Sequence, residues 1–359
     1  WWTSSVTISV AWLRTRLELG ESSPRDRVGG LSGSVYANAS LMDLRGERPY
    51  NAALVVVVGL VACRIFWRLR MFSGSYVALV TPFKDGEVDL ERLGALVDFH
   101  IESGTNGLVP CGTTGESATL SHKEHELVIE SVIERAAGRI PVLAGTGSNS
   151  TSEAVSLTKS AQTAGADGAL VITPYYNKPP QEGLYSHFAA IAHECELPIV
   201  LYNVPGRTGI DLLPQTVGRL AAIENVVAVK EASGSIDRTV EILGECDITV
   251  LSGDDSLTLS LMAVGASGVI SVAANVVPAQ MAELVQLASA GEIASASRLH
   301  HQLYPLMKAL FVETSPIPVK ACLEMQGLIG GELRLPLVGA EDDTRSLLRG
   351  ILEGLEISA

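Results

Sequence analysis

The sharpest chemical signal in the chain is a lysine that ends an apolar run. Lys230 closes Val226-Val227-Ala228-Val229-Lys230, where a charge is costly to hold. Taking an ammonium out of water favours its neutral form, and a neutral amine attacks carbonyl carbon. The same position also suits a lysine that snorkels out of the strand end or pairs with Glu231. What tips the balance is the company it keeps. Gly112-Thr113-Thr114-Gly115-Glu116-Ser117 is a turn rich in Gly and Thr, ahead of a helix that starts near Ser121. Its free backbone N–H groups suit a small carboxylate or phosphate, and an ordinary tight turn is the bland alternative. It lacks the Gly-Lys-Ser/Thr ending of a nucleotide P-loop. Tyr175, Tyr176 and Tyr202 fall at neighbouring strand ends, and a phenol can relay protons where its hydroxyl meets another polar group.

Other clusters have simpler readings. His122 and His125 share a helix face at a spacing that allows metal binding, but no third ligand is evident, and a metal site is not expected. Ser121 with Glu124 matches a capping box, and so does Ser150 with Glu153. Asp254-Asp255 fits either a cation or the cap of the following helix. Pro179-Pro180 marks a loop before a helix from Gln181.

These residues need a scaffold that gathers strand ends. From Met71 onward, short apolar runs alternate with segments of helical period. The runs are Tyr76–Val80, Gly107–Pro110, Pro141–Ala144, Ala169–Thr173, Ile199–Tyr202, Val226–Lys230, Ile248–Leu251 and Gly268–Val272. Continuous rather than alternating apolar character indicates strands covered on both faces. Eight βα units predict an α/β fold, a closed (β/α)8 TIM barrel, over residues 71–290; a doubly wound open sheet is the alternative. Further helical period, through Met281–Leu287, Ala294–Phe311 and Ile317–Leu328, predicts the eighth barrel helix and a C-terminal helical appendage over 291–359. Barrel enzymes carry their chemistry at the carboxyl ends of the strands, which is where the Thr pair, the tyrosines and Lys230 fall.

Composition agrees. The chain has 359 residues, 47% hydrophobic and 18% charged, which excludes a disordered or coiled-coil protein. A formal net charge of -14 is a poor match for nucleic acid or an anionic membrane surface. Five scattered cysteines, with no C-x-x-C pair, argue against a disulfide framework and for a reducing, cytoplasmic setting. Residues 1–70 differ, with nine Arg, no Lys and five acids. Their 12-residue apolar stretch Ala52–Cys63 is too short to span a bilayer, which takes about 20 residues. They are expected to be an N-terminal extension outside the fold.

Three motifs together carry a resemblance. Gly112-Thr113-Thr114-Gly115-Glu116-Ser117, Tyr202-Asn203-Val204-Pro205-Gly206-Arg207-Thr208-Gly209 and Val229-Lys230-Glu231-Ala232 resemble the dihydrodipicolinate (4-hydroxy-tetrahydrodipicolinate) synthase family, within the pyruvate-dependent class I lyases. The likeness runs from Met71 to the end. It implies that Lys230 forms a Schiff base with pyruvate without any separate cofactor, and that the resulting enamine attacks L-aspartate 4-semialdehyde. It implies a proton relay of Tyr202, Thr113 and Tyr176, the last reaching across a tight dimer interface. Thr113 and Thr114 would hold the pyruvate carboxylate and Arg207 that of the semialdehyde, with Gly253 and Ile270 lining the pocket. It also implies a feedback site for L-lysine at Ser117, Ala118, His122, His125, Asn149, Glu153 and Tyr175, and a homotetramer of two tight dimers. Two departures stand out: the 70-residue extension, and Cys111 beside the Thr pair, a thiol that is reactive unless buried. Another Schiff-base lyase, such as N-acetylneuraminate lyase or a 2-keto-3-deoxy sugar acid aldolase, would keep the lysine but need hydroxyl partners where Arg207 stands. A non-catalytic barrel would not need to keep all five of Lys230, Tyr202, Thr113, Tyr176 and Arg207.

Overall fold

Strands whose residues are apolar without a break have no face to give to water, so they must be covered on both sides. The computed structural model describes residues 41–42, 49–50 and 72–357. All eight apolar runs are parallel strands there: β1 (Gly74–Ala78), β2 (Gly107–Val109), β3 (Leu143–Gly145), β4 (Gly168–Ile172), β5 (Ile199–Asn203), β6 (Val226–Glu231), β7 (Thr249–Ser252) and β8 (Gly268–Ser271). From β3 to β8 each pairs with its sequence neighbour, β8 returns to pair with β1, and β1 pairs with β2. A single bridge, Leu108 with Val142, and the bond from Gly145 N to Pro110 O at 2.9 Å close the ring between β2 and β3. The fold is a (β/α)8 barrel.

Helices α1 (Leu90–Glu102), α2 (His122–Ala136), α3 (Thr151–Ala164), α4 (Gln181–Glu194), α5 (Pro214–Ala221), α6 (Ile236–Glu245), α7 (Thr258–Ala263) and α8 (Pro278–Ser289) follow the eight strands in turn. Two core layers result. Alternate strand residues, among them Tyr76, Val109, Leu143, Leu170, Val200, Leu251 and Ile270, fill the barrel interior. The remaining strand residues pack against the helices in a larger outer layer. Gly107 is required by the interior plug, because a Cβ there would lie 2.1 Å from the Tyr76 ring. Among the described residues three more helices follow: α9 (Ile293–Ala309), α10 (Ile317–Met325) and α11 (Asp342–Gly354). The described residues from 72 onward belong to one compact unit. The extension, with the apolar stretch Ala52–Cys63, lies outside the described residues apart from the short pairing of Leu41–Met42 with Pro49–Tyr50. Among the described residues, no helix is long and apolar enough to cross a membrane.

The cap at Ser121 forms as expected. Ser121 Oγ accepts from Glu124 N, and Glu124 accepts from Ser121 N. The one expected at Ser150 does not. Ser150 Oγ pairs with Ser152 Oγ at 3.1 Å, because the Glu153 carboxylate is taken by Ser148 and His122. Asp254 and Asp255 act as local anchors. Asp254 accepts from Ser256 N at 3.1 Å, and the buried Asp255 accepts from Val272 N and Ala273 N across the β7–β8 rim.

Three histidines sit buried in the helix layer, and they give the fold a pH dependence. Burial pulls the His100 imidazole down to about 3, and those of His125 and His187 to about 4, from 6.5. Above pH 6.5 they are neutral in both states and contribute nothing. As pH falls below 6.5 the unfolded chain takes up protons that the fold refuses. Each then costs about 1.4 kcal/mol per pH unit until its folded value is reached. The carboxyls of Asp255 and Glu231, raised by burial, act in the opposite sense. A variant therefore isolates the effect. His187→Gln should flatten the fall in urea stability between pH 6 and pH 5 by about 1 kcal/mol relative to the unsubstituted chain. Parallel curves for the two proteins would contradict this assignment.

Candidate active site

The in-out alternation of a barrel strand decides what Lys230 can reach. In β6 it is in phase with Ala228, which faces the interior, and in β5 Tyr202 is in phase with Val200. Lys230 pairs in register with Tyr202, so the two side chains are neighbours at the barrel mouth. Lys230 is 6% exposed and Tyr202 7%, and Lys230 Nζ lies 4.3 Å from the Tyr202 ring centroid. The lysine does not snorkel out. Nor does it take Glu231 as its partner, since Glu231 faces the opposite side of β6 and accepts from Asn203 Nδ2 at 3.1 Å and from Ser233 N at 2.7 Å. Gly253, at the end of β7, leaves room for the lysine stem: a Cβ there would lie 3.0 Å from Lys230 Cε and 2.6 Å from Ala232 Cβ.

Behind this pair lies a network that sequence reading missed. Asn203 Nδ2 also donates to Asp211 Oδ1 at 2.9 Å, and Asn203 Oδ1 accepts from Leu212 N. Arg238 donates to Asp211 in turn, at 2.8 Å. Burial pushes the Glu231 carboxyl up. These bonds tie the outer faces of β5 and β6 together one residue past Tyr202 and Lys230, and so fix their register. The adjacency of Asn203 to Tyr202 and of Glu231 to Lys230 was the available signal.

A cavity of about 270 Å³ opens over the amine. Thr113, Thr114, Tyr202, Arg207, Lys230 and Gly253 line it. Ile270 lies one layer lower, buried in the barrel interior beside Tyr76. Arg207 stands on the single helical turn Pro205–Thr208 after β5 and is held by a bond from its Nη2 to Ser315 O at 3.3 Å. Ser315, from the loop before α10, also lines the cavity and was not foreseen. The site thus offers an amine nucleophile, a phenol and hydroxyls beside it, and a guanidinium for a carboxylate.

A second cavity, of about 560 Å³, shares Thr113, Tyr202 and Arg207 with the first. Ser117, Ala118, His122, His125, Glu153 and Tyr175 line it. His122 Nε2 lies 2.6 Å from Glu153 Oε1. Bonds from Ser148 and then from His122 hold the Glu153 carboxyl below the usual carboxylate range. Asn149 stands beside this cavity rather than in its wall, its Nδ2 donating to Tyr175 O at 3.2 Å. Among the described residues, no group of three or more His, Cys, Asp and Glu could hold a metal. Cys111 is buried, burial raises its thiol and so disfavours the reactive thiolate, and its Sγ lies 3.6 Å from His125 O.

Tyr176 is the one relay candidate that the fold keeps out of its own site. It is 91% exposed, holds a left-handed φ of 73° and lines neither cavity.

The same arrangement has counterparts among known proteins. The sequence profile of the dihydrodipicolinate synthetase family matches residues 71–355. The chain belongs to that family. A 4-hydroxy-tetrahydrodipicolinate synthase from Nitratidesulfovibrio vulgaris (strain DSM 19637 / Miyazaki F) is 56% identical over 289 residues, which cover 80% of this chain and 99% of that protein. The chloride-inhibited dihydrodipicolinate synthase of Acinetobacter baumannii, solved in complex with pyruvate, is 49% identical with a TM-score of 0.78 and covers 79% of this chain and 98% of that one. The synthase of Cyanidioschyzon merolae, solved with lysine bound, is 40% identical with a TM-score of 0.78 and covers 80% and 99%. The family match begins at Met71, so the gathered strand-end residues all lie inside it and the extension lies outside.

Proposed function

We propose that the chain is a 4-hydroxy-tetrahydrodipicolinate synthase, condensing pyruvate with L-aspartate 4-semialdehyde for diaminopimelate and lysine biosynthesis. One observation carries the reading: the buried amine of Lys230 stacked on the Tyr202 ring, in a cavity that also holds Thr113, Thr114 and Arg207. Lys230 Nζ attacks C2 of pyruvate, and the C2 oxygen leaves as water with protons passed through Tyr202. The protonated imine is an electron sink, so C3 gives up a proton and becomes the enamine carbon. C3 then bonds to the aldehyde carbon, whose oxygen takes the proton that Tyr202 supplies. Finally the semialdehyde's own amine attacks C2 and displaces Lys230, closing the ring. No separate cofactor is needed, because the lysine is itself the electron sink's anchor. Thr113 and Thr114 hold the pyruvate carboxylate. Arg207 binds the semialdehyde carboxylate through a planar two-point contact, which a lysine could not copy and a sugar acceptor would not need.

The exposed Tyr176 fits a second copy of the chain: it completes a neighbour's relay across a tight dimer, two of which form a homotetramer. The cavity at His122, Glu153 and Tyr175 takes L-lysine, with Glu153 receiving the ammonium; the relative solved with lysine supports this reading.

Borohydride trapping tests the central claim. Reduction in the presence of pyruvate should add the mass of one pyruvate, less one water and plus two hydrogens, to the peptide containing Lys230. An unlabelled peptide would refute it. Lysine is expected to slow the coupled reaction, and Glu153→Gln to raise the inhibitory concentration at least about tenfold through loss of a charge-assisted contact. Equal inhibition of both proteins would remove lysine from that cavity.

A further inference from the structure

The turn that carries Thr113 and Thr114 is anchored by a charge from the far end of the chain. Two non-glycine residues in left-handed backbone bracket it, Cys111 at φ 55° and Glu116 at φ 54°. Such conformations are sparsely populated and persist only where the surroundings hold them. The turn's own bonds, Gly115 N to Gly112 O and Glu116 N to Thr113 O, both 3.1 Å, are short-range and neutral. Outside help comes from two sides. Thr81 Oγ1 donates to Gly115 O at 2.7 Å from the loop after β1. The other anchor is Glu116, which is only 4% exposed.

Its carboxylate accepts from Lys320 Nζ at 2.5 Å through Oε1, and from the backbone N–H of Arg334 at 3.1 Å through Oε2. The Glu116 and Lys320 side chains are both fully buried. Lys320 also donates to Glu332 O at 2.7 Å and sits 4.2 Å from the Phe83 ring centroid. The Arg334 guanidinium lies 4.4 Å from the same ring, donates to Thr119 O at 3.1 Å and pairs with Glu124. Glu116 lines the second cavity, but neither Lys320 nor Arg334 lines either one, so the chemistry derived above has no use for their charges. A buried ion pair adds little net stability over an apolar pair of the same volume; it supplies a fixed geometry. Here the geometry fixed is that of the residue two places after Thr114.

We propose that Glu116, clamped by Lys320 and the Arg334 N–H, is a positioning residue that holds the Thr113–Thr114 turn in the shape that binds the keto-acid carboxylate. The segment spanning residues 317–334 is thereby part of the pyruvate site although it touches no pyruvate. The inference rests on the reading above that this turn holds pyruvate.

The test is the double variant Glu116→Gln/Lys320→Met, which removes both charges and leaves neither unpaired. Wild type and variant are compared by the pyruvate concentration for half-maximal borohydride trapping, the KM for each substrate and the thermal midpoint. The half-trapping concentration and the KM for pyruvate should rise at least about tenfold, while the KM for the semialdehyde, held by Arg207, changes less than about threefold. Glu116→Gln alone should show the same pyruvate shift with a lower thermal midpoint, since it strands the Lys320 cation. A double variant with wild-type pyruvate dependence overturns the proposal. So does one in which both KM values move together, or one that does not fold, because each makes the pair a general support of the barrel. Wild type that traps no pyruvate would sink the functional reading instead, and the proposal with it.

Discussion

Replacing Lys230 with Met should abolish turnover while leaving the barrel at least as stable. The substitution keeps most of the side-chain length, puts an apolar thioether sulfur in place of one methylene and takes away the nitrogen. That nitrogen is buried against the Tyr202 ring, and Glu231 spends its carboxylate on Asn203 and Ser233. Removing a buried polar group with so little compensation is neutral or favourable for folding. Catalysis has no such latitude, because every step after the first passes through a bond from Nζ to C2. The expected loss is at least about a thousandfold in kcat, with no borohydride adduct at any pyruvate concentration. Lys230→Arg should fail equally. A guanidinium keeps the positive charge but stays protonated at any working pH, so it cannot attack. Turnover above about one part in a hundred in either variant would mean that the amine is not the nucleophile.

Every strand that positions this lysine could be read from the chain, because parallel barrel strands are buried on both faces and betray themselves as unbroken apolar runs. Tyr76–Val80 lies two residues later than β1, and Pro141–Ala144 starts two residues before β3 and ends one residue short of its end, small errors in a signal that has no period of its own. Helix α11 was not singled out. Its first turn is Asp342, Asp343, Thr344 and Arg345, and its apolar residues are interleaved with charges. At the site, the residues that carry chemistry were legible because each is an unusual type at a strand end. Their supports were not. Glu116 meets Lys320 across 204 positions, and Arg207 meets Ser315 across 108. Nothing local marks such pairs, since each partner alone is an ordinary polar residue. The mistaken cap at Ser150 shows the converse. Ser-x-x-Glu spacing satisfied the local rule, and a tertiary contact from His122 took the carboxylate instead.

Tyr202→Phe separates binding from chemistry. The ring is what touches the Lys230 amine, at 4.3 Å from its centroid, and phenylalanine keeps the ring. The β5–β6 register is held by Asn203, Glu231 and Asp211 on the outer face, so losing a hydroxyl inside the barrel does not disturb it. What disappears is the proton route. Water must leave C2 during imine formation, and the aldehyde oxygen must be protonated as C3 bonds to its carbon. A positioned acid or base is worth about a hundredfold to ten-thousandfold in such steps. The expected result is a fall in kcat of about a hundredfold or more, with each KM within about threefold of wild type. Borohydride should still label Lys230 to the same extent, only more slowly, because imine formation retains a slow uncatalysed route. A variant that kept more than about a third of wild-type kcat would take Tyr202 out of the relay and leave proton transfer to Thr113 or water. A variant that lost labelling altogether would show that the phenol holds the amine in place, a binding role that the ring contact alone does not provide.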